Sequence, residues 1–413
     1  MLANRRRGPA GRGYAPPVRA SIDKKAMTAL SAGHLSTDLA QGSLPALLPY
    51  LKIEFGLTYT MAAGLVLCST FASSIVQPLF GLWSDARGAL WLLPLGTAVA
   101  GIGMALAAVA PTYALVLVAV TVAGFGVAAY HPEASKFASY VSGVKRASGM
   151  SFFSVGGNLG FSLGPLVASG VIIAFGLNGG LLIMVPGLLV GAGLVVLIGY
   201  LAAFAPTVEQ TRTGSAARGQ PRALVLLLVV VGLRSVAHMG LFTFVPLYEI
   251  SRGHSKTEGT LLLSLFLLAG AIGTLAGGPL ADRFGRRRVL IASMAASVPL
   301  IVVYTLTGGI TGDLALVAAG GAIIGTFGVT IVMSQEYMPG RVGMASGLSI
   351  GLAIGLGGVA ALSLGAVADA VDLQTAVLAT AVGPALCVFL ALRLPPARPR
   401  TRMVEREPAA ATV

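Results

Sequence analysis

The sequence predicts an all-α membrane protein that crosses a bilayer about twelve times, in two six-helix bundles related by a pseudo-twofold axis. Three observations predict this fold: the composition, the length of the apolar runs and an internal repeat. Of 413 residues, 55% are hydrophobic and 10% are charged, whereas soluble domains have about 25% charged residues. Apolar runs of about 20 residues, enough to cross about 30 Å of hydrocarbon as a helix, recur between short polar breaks. The expected spans are 27–50, 60–82, 90–110, 113–131, 146–175, 179–204, 223–249, 259–280, 288–308, 313–335, 342–369 and 373–393.

Glycine is frequent, with 55 residues, and many glycines lie four positions apart, such as Gly160/Gly164 and Gly347/Gly351. In lipid, small residues let helix backbones approach closely, so this spacing predicts tight helix packing. The apolar runs are continuous and do not alternate in ten-residue pieces, which excludes a membrane β-barrel.

The net charge of +13 follows the predicted topology and does not indicate nucleic-acid binding. With the N-terminus inside, all but four of the 28 Lys and Arg fall in cytoplasmic segments; Lys52, Arg252 and Lys256 fall outside and Arg234 lies within a span. This is the positive-inside pattern. It predicts a multi-pass protein with both termini in the cytoplasm, and we expect the membrane to be the bacterial inner membrane.

The chain repeats itself with an offset of about 200 residues, as expected for two parallel six-helix repeats. Asp85 after the second span corresponds to Asp282 after the eighth, and Pro49 in the first span corresponds to Pro246 in the seventh. We therefore expect alternating access, in which two similar bundles rock about a central site. The predicted parts are a cytoplasmic tail (1–23), an N-terminal bundle (24–204), a linker (205–222), a C-terminal bundle (223–396) and a second tail (397–413).

Two loops and one helix carry patterns of a known superfamily. Residues 278–288 read GPLADRFGRRR and residues 81–88 read GLWSDARG, and both resemble the loop motif of the major facilitator superfamily. The first copy departs from the motif at Ala86. Residues 160–165, GFSLGP, are similar to the motif of the antiporter branch of that superfamily. The resemblance implies loop or helix gating by Asp85, Arg87, Asp282, Arg283, Arg286, Gly160, Gly164 and Pro165.

A narrower resemblance covers spans one to five. The segments HLSTDLAQG (34–42), PALLP (45–49), QPLFG (77–81), HPEA (131–134) and SVGGNLG (154–160) together resemble the fosmidomycin-resistance family of major facilitator proteins. That likeness implies the major facilitator fold and proton-coupled efflux of a small, often anionic compound such as a phosphonate antibiotic, and hence antibiotic resistance.

Charged and histidine side chains inside the membrane mark the expected site. His34 and Asp38 lie four residues apart on one face of the first span, and Arg234 and His238 occupy the corresponding places on the seventh. A charge at mid-bilayer costs about 2.5–3.5 kcal/mol on insertion scales, so both faces should line a cavity. We hypothesise that Asp38 couples to protons with help from His34 or His238, and that Arg234 binds an anionic substrate or pairs with Asp38. A static Asp38–Arg234 pair that joins the halves is the alternative.

Other polar residues complete the expected pathway. Substrate contacts are expected from Gln41, Gln77, Tyr130, Asn158 and Tyr248. A gate or loop anchor is expected from His131, Glu133 and Arg146 at the end of span four, and from Glu336 and Arg341 at the matching end of span ten. Glu249 and Asp369 lie at helix ends, where solvation at the interface is the simplest explanation.

Several classes of function are not expected. His131 and Glu133 are two residues apart and so face different sides of a helix, which argues against a metal site. No nucleophile motif or phosphate loop is visible, so we expect no enzyme and no cofactor beyond the coupling proton. We expect a monomer acting on a small molecule. Uptake of an organic anion, or a membrane sensor that does not transport, are the alternative functions.

Overall fold

The computed structural model describes residues 21–143, 146–205, 219–338 and 342–395, and these residues form helices without a β-strand. The N-terminal half contains α1 (Lys24–Gly42), α2 (Leu44–Phe55), α3 (Tyr59–Arg87), α4 (Leu92–Val109), α5 (Tyr113–Val141), α6 (Arg146–Phe175) and, after a 3-10 segment (Leu177–Ile183), α7 (Met184–Ala202). The C-terminal half contains α8 (Pro221–Ser251), α9 (Lys256–Phe284), α10 (Arg286–Leu306), α11 (Gly309–Gly325), α12 (Phe327–Tyr337), α13 (Val342–Ala370), α14 (Leu373–Ala379) and α15 (Val382–Ala391).

The predicted all-α membrane fold is confirmed. Within the described residues, 11 helical segments are long and apolar enough to cross a membrane. The first predicted span is not among these 11; it consists of α1 and α2, which are separated at Ser43, with Pro45 at the start of the second helix. Most of the predicted linker and both predicted tails lie outside the described residues.

The fourth span is longer than the sequence predicts. It was expected to end at 131, but α5 continues through Pro132 to Val141. A proline removes one backbone donor, which membrane helices tolerate where neighbouring helices pack around them. The consequence is that His131 lies inside a helix, facing its neighbours, and not at a helix end.

Glycines hold α1 against α6, as the small-residue spacing predicts. A Cβ atom at Gly156, Gly160 or Gly164 would lie 2.1–2.5 Å from a backbone carbonyl oxygen of α1. These three positions therefore accept only glycine at the observed separation. Ser43, at the break between α1 and α2, donates its hydroxyl to the Gly164 carbonyl at 3.1 Å. The glycines of the antiporter-like segment thus pack within the N-terminal half.

Contacts between the halves are found where α3 meets α13, α6 meets α9, and α2 meets α8 and α9. We call the end of the bundle that holds residues 56–58 the far side, and the end that holds residues 21–23 the termini side. On the far side, the two Asp369 carboxylate oxygens of α13 accept hydrogen bonds from the Tyr59 and Thr60 backbone N–H groups of α3, both at 2.8 Å. Lys256 of α9 lies 3.9 Å from the ring centroid of Tyr50 of α2. The far side is therefore closed by direct contacts between the halves, and Asp369 is not simply solvated as expected.

Candidate functional site

A cluster of two histidines and one aspartate lies inside the N-terminal half. Asp38 of α1 is within ion-pair distance of His34 on the same helix (Nε2 to Oδ2, 3.3 Å) and of His131 on α5 (Nε2 to Oδ1, 3.2 Å). The three side chains are 12–18% exposed. The structure thus brings the predicted proton-coupling pair together with a residue that the sequence assigned to a gate.

Backbone carbonyls fix which nitrogen of each histidine faces Asp38. His34 Nδ1 is 2.9 Å from the Phe153 carbonyl oxygen, and His131 Nδ1 is 2.9 Å from the Val127 carbonyl oxygen. A carbonyl only accepts, so each Nδ1 carries a proton and each Nε2 is directed at the carboxylate. A neutral ring would then place a lone pair against Asp38, whereas a protonated ring would donate to it. Two Nε2 atoms that can each take up a proton therefore lie within 3.3 Å of a carboxylate that can also take one up.

The neighbouring helix leaves room for this arrangement. A Cβ atom at Gly157 of α6 would lie 2.4 Å from His34 Nε2 and 2.7 Å from Asp38 Oδ2. One turn earlier, Phe153 stacks on the His34 ring with centroids 4.2 Å apart. Local sequence on α6 therefore sets both the space and the ring orientation. Phe153 is not among the residues predicted from the sequence, although its position directly before the SVGGNLG segment is a signal that could have indicated it.

The three donor atoms of His34, Asp38 and His131 all lie within 4.8 Å of one another. This spacing lets the three side chains share one small cation. The sequence argued against a metal site only because His131 and Glu133 face different sides of a helix. It gave no sign that His131 lies next to His34 and Asp38. The structure shows that His131 faces Asp38, while Glu133 Oε2 is 2.8 Å from Lys136 Nζ.

A second site, in the C-terminal half, contains the buried cation Arg234. Arg234 of α8 is 3% exposed, donates to the Thr330 hydroxyl of α12 at 3.3 Å, and lies 5.2 Å from the ring centroid of Phe327. Within the part of the chain that the structure describes, no carboxylate is within ion-pair distance of Arg234. One turn away, the Nε2 atom of His238 is buried without a hydrogen-bond partner. A buried guanidinium without a counter-charge is costly, so an anion would stabilise this site.

The predicted contact between Asp38 and Arg234 is not formed in this conformation. Each charged face instead turns towards the fourth span of its own half, Asp38 towards α5 and Arg234 towards α12. Phe161 of α6 stands at the boundary of the halves, where it stacks on Phe242 of α8 at 4.9 Å and lies 6.4 Å from the His238 ring. Because Phe161 is one turn beyond Gly157, a single helix touches both sites.

The other predicted substrate residues are spread along the bundle. Gln41 is buried, while Gln77 and Asn158 are half-buried, and Asn158 lies one turn from Phe161. The hydroxyls of two tyrosines are already engaged: Tyr130 donates to the Leu30 carbonyl, and Tyr248 donates to the Thr305 carbonyl at 2.9 Å near the far side. Their hydroxyls support helix packing in this conformation.

The predicted gate residues fall into two groups. Glu336 forms an ion pair with Arg286 within the C-terminal half, and Asp282 and Arg283 are exposed. Arg341, and the side chains of Asp85, Arg87 and Arg146, lie outside the described residues.

Glu249, near the far side, is buried, whereas the sequence suggested that it is solvated at a helix end. Glu249 is 2% exposed, accepts a hydrogen bond from the Tyr304 hydroxyl at 2.8 Å and forms ion pairs with Arg252 (3.6 Å) and His254. Its partners lie three, five and 55 residues away, so only the two nearby ones had a local signal in the sequence.

Comparison with known proteins decides the family. The model of the Major Facilitator Superfamily matches residues 30–361 and again 251–412. This chain belongs to the Major Facilitator Superfamily. It is thus a membrane-embedded transporter and not an enzyme, as the loop motifs implied.

Two relatives align along most of their length. The chain is 33% identical over 379 residues to the uncharacterized MFS-type transporter YfnC of Bacillus subtilis, covering 88% of this chain and 90% of the relative. It is 30% identical over 361 residues to the fosmidomycin resistance protein of Escherichia coli, covering 84% and 87%. The narrower resemblance seen in the sequence is therefore confirmed as a likeness.

Solved structures share the fold at low identity. A bacterial homologue of the human lysosomal transporter Spinster, in an inward-facing and occupied conformation, superposes with a TM-score of 0.71 at 16% identity, covering 90% of this chain and 97% of the other. The fucose transporter FucP in its outward conformation gives 0.62 at 16% identity, covering 89% and 97%. These likenesses show the major facilitator fold.

Proposed function

We propose that this major facilitator protein is a proton-coupled antiporter that exports a small anionic compound by alternating access across the bacterial inner membrane. The observation that carries the proposal is the pairing of two intramembrane sites of opposite character. The N-terminal half holds Asp38 between two histidines, and the C-terminal half holds an uncompensated Arg234 beside His238. Intramembrane ionisable groups of this kind mark ion and substrate paths in transporters.

The N-terminal cluster would bind the coupling protons. With both rings protonated, Asp38 accepts from two Nε2–H groups and the cluster is cationic. With both neutral, the cluster is anionic and two lone pairs face the carboxylate. Proton loss therefore changes both the charge and the geometry at α1, α5 and α6. His131 replaces the predicted His238 as the second histidine beside Asp38.

The C-terminal site would bind the anion. The planar guanidinium of Arg234 suits a phosphonate or carboxylate, because both present two oxygens to its paired N–H donors. His238 Nε2 and Asn158 would complete the contacts. The likeness to a fosmidomycin resistance protein supports a phosphonate-like substrate.

The two sites would act on each other electrostatically across the central boundary. A cationic, proton-loaded cluster strengthens anion binding, and deprotonation to the anionic form weakens it, so this interaction couples the sites but by itself favours their joint loading. Because α6 touches both sites through Gly157 and Phe161, loading of either site would also alter the packing of the halves. Antiport further requires that the halves reorient with either the protons or the anion bound, so that outward release of the anion alternates with inward movement of protons.

Uptake of an organic anion with protons uses the same two sites and is the second candidate. The antiporter-like segment at 160–165, with Gly160 and Gly164 packed on α1, favours export. A sensor without transport leaves the unpaired Arg234 unexplained.

The test uses inverted vesicles that contain only this protein, with an acidified lumen and a pH-sensitive dye inside. Fosmidomycin and a panel of small anions are added outside. An antiporter releases luminal protons on addition of its substrate, and Asp38→Asn removes this response. Asp372→Asn is the matched control, because asparagine also caps a helix and Asp372 caps α14 outside both sites.

The competing functions give different signals. A symporter releases protons when the substrate is loaded in the lumen and not when it is added outside. Proton release by Asp38→Asn at the wild-type rate would contradict the coupling site. A folded protein that moves no solute in either arrangement would contradict transport itself.

A further inference from the structure

A small cavity of about 520 Å³ opens on the termini side of the C-terminal half, far from both transport sites. It is formed where α8 begins and where the chain leaves α15. Its lining consists of Gln220, Pro221, Arg222, Ala223, Leu226, Arg393 and Pro395. Its volume is in the range of small-ligand sites, which span about 300–1,000 Å³.

Two arginines line this cavity, and a third lies beside it. Arg222 and Arg393 are both exposed, and among the described residues neither has a carboxylate within ion-pair distance. A third arginine, Arg287 of α10, donates to the Leu392 carbonyl next to Arg393 and so adds its charge to the same corner. None of the described lining residues is acidic. The cavity therefore attracts an anion.

An apolar surface leads directly away from the cavity. Val225 (61% exposed) and Val229 (45%) continue along α8 from Arg222, and Leu392 (51%) precedes Arg393. On a membrane-spanning helix, such exposed apolar side chains face the hydrocarbon. A ligand that fits this corner has an anionic head at the arginines and acyl chains along the valines.

We propose that this corner, formed by Arg222, Arg393 and the start of α8, is a binding site for the headgroup of an anionic phospholipid. The phosphodiester would accept paired N–H donors from the two guanidinium groups. A zwitterionic headgroup fits less well because its own cation would meet two uncompensated arginines. The site lies on the predicted cytoplasmic side, where basic pockets beside membrane helices bind such headgroups. This proposal stands independently of the transport direction and substrate.

The experiment is a lipid titration of the full-length protein in zwitterionic nanodiscs. Retained lipid is measured by native mass spectrometry as phosphatidylglycerol replaces phosphatidylcholine, with glycerol phosphate as the soluble competitor. We expect selective retention of phosphatidylglycerol and no displacement by millimolar glycerol phosphate, because the acyl chains contribute to binding. Each of Arg222→Gln and Arg393→Gln should lower the retention about fivefold, and the double variant more than either.

The controls distinguish lipid binding at this corner from attraction of anionic lipid by surface charge in general. Lys24→Gln removes an exposed cation from the same side of the other half, and it should leave retention unchanged. An equal loss in Lys24→Gln, or equal retention of both lipids, would overturn the proposal. Displacement by glycerol phosphate would also overturn it and assign the corner to a soluble phosphate. Unchanged melting temperatures of the variants confirm that the fold is intact.

Discussion

The two halves of this transporter use equivalent positions for opposite chemistry. His34 and Asp38 on α1 lie about 200 residues before Arg234 and His238 on α8, and each pair reaches back to the fourth span of its own half. In the N-terminal half the partner is His131, and in the C-terminal half it is Thr330, again about 200 residues later. A repeated backbone thus presents a proton-holding cluster on one side of the boundary and an unpaired guanidinium on the other.

The fifth span of each half shows the same contrast. Gly157 of α6 and Gly357 of α13 occupy repeat-related positions, and each lets its helix approach the first span of its half. A Cβ atom at Gly157 would meet His34 and Asp38, whereas one at Gly357 would lie 2.3 Å from the Met239 side chain. In both halves a glycine therefore leaves space on the fifth span, for a polar cluster in one half and for a flexible apolar side chain in the other.

Arg234→Gln should have the largest effect, because it should weaken substrate binding at one site and leave proton binding at the other. Hydrogen bonds to charged groups contribute about 1.5–3 kcal/mol, so the half-saturating substrate concentration should rise about 10- to 100-fold. Proton binding by the N-terminal cluster should persist. Transport across a range of substrate concentrations, together with proton uptake by the purified variant, checks both statements. Arg234→Lys, which keeps the charge but not the planar fork, should fall between the variant and wild type.

Gly157→Ala should disrupt coupling about tenfold, since added volume at a tightly packed position costs about 1–3 kcal/mol and here displaces His34 and Asp38. Gly357→Ala should have a smaller effect on coupling because a methionine side chain moves easily. Gly170→Ala, on the same helix as Gly157 but with open space around it, is the matched control. Substrate-driven proton flux is measured for all three. Equal losses in the variants at 157 and 357 would show that general helix packing, and not the cluster, is responsible.

A third and smaller effect concerns the pH dependence of transport, which should show whether His131 or His238 acts together with Asp38. His131→Gln should change the pH dependence of flux, because it removes one of the two histidines within ion-pair distance of Asp38. Among the described residues, His34 then remains beside Asp38, with the buried Tyr130 next to His34. His238→Gln should leave that dependence in place and weaken substrate binding instead. Flux profiles between pH 5 and 8, where histidine titrates, distinguish the two. The opposite result would restore His238, the residue that the sequence predicted beside Asp38, as the coupling histidine.

Sequence periodicity and charge were sufficient for the helices, the repeat and the two charged faces, because hydropathy is a local signal and the repeat can be found by comparing the chain with itself. They did not reveal which side chains meet. His131 was placed at a helix end because the predicted fourth span ended at residue 131, yet α5 continues to Val141 and His131 contacts Asp38. The predicted Asp38–Arg234 contact assumed that both faces turn towards each other, whereas packing against α5 and α12 turns each of them inward. The orientation of each helix depends on contacts between its glycines and residues distant in sequence, which cannot be predicted from one segment alone.

The smallest expected effect concerns the far side, where Asp369 of α13 caps the start of α3 and so joins the halves. Losing a cap costs about 1 kcal/mol, so Asp369→Ala should favour separation of the halves at this end by about fivefold. The Tyr59 and Thr60 amides are the bonded groups, and their hydrogen exchange should accelerate by that factor. Asp372→Ala, which uncaps α14 within one half, should leave the exchange of these two amides unchanged. If both variants accelerate it equally, Asp369 only stabilises the local fold. If Asp369→Ala alone does so, the carboxylate holds the far side closed and must release α3 whenever the transporter opens there.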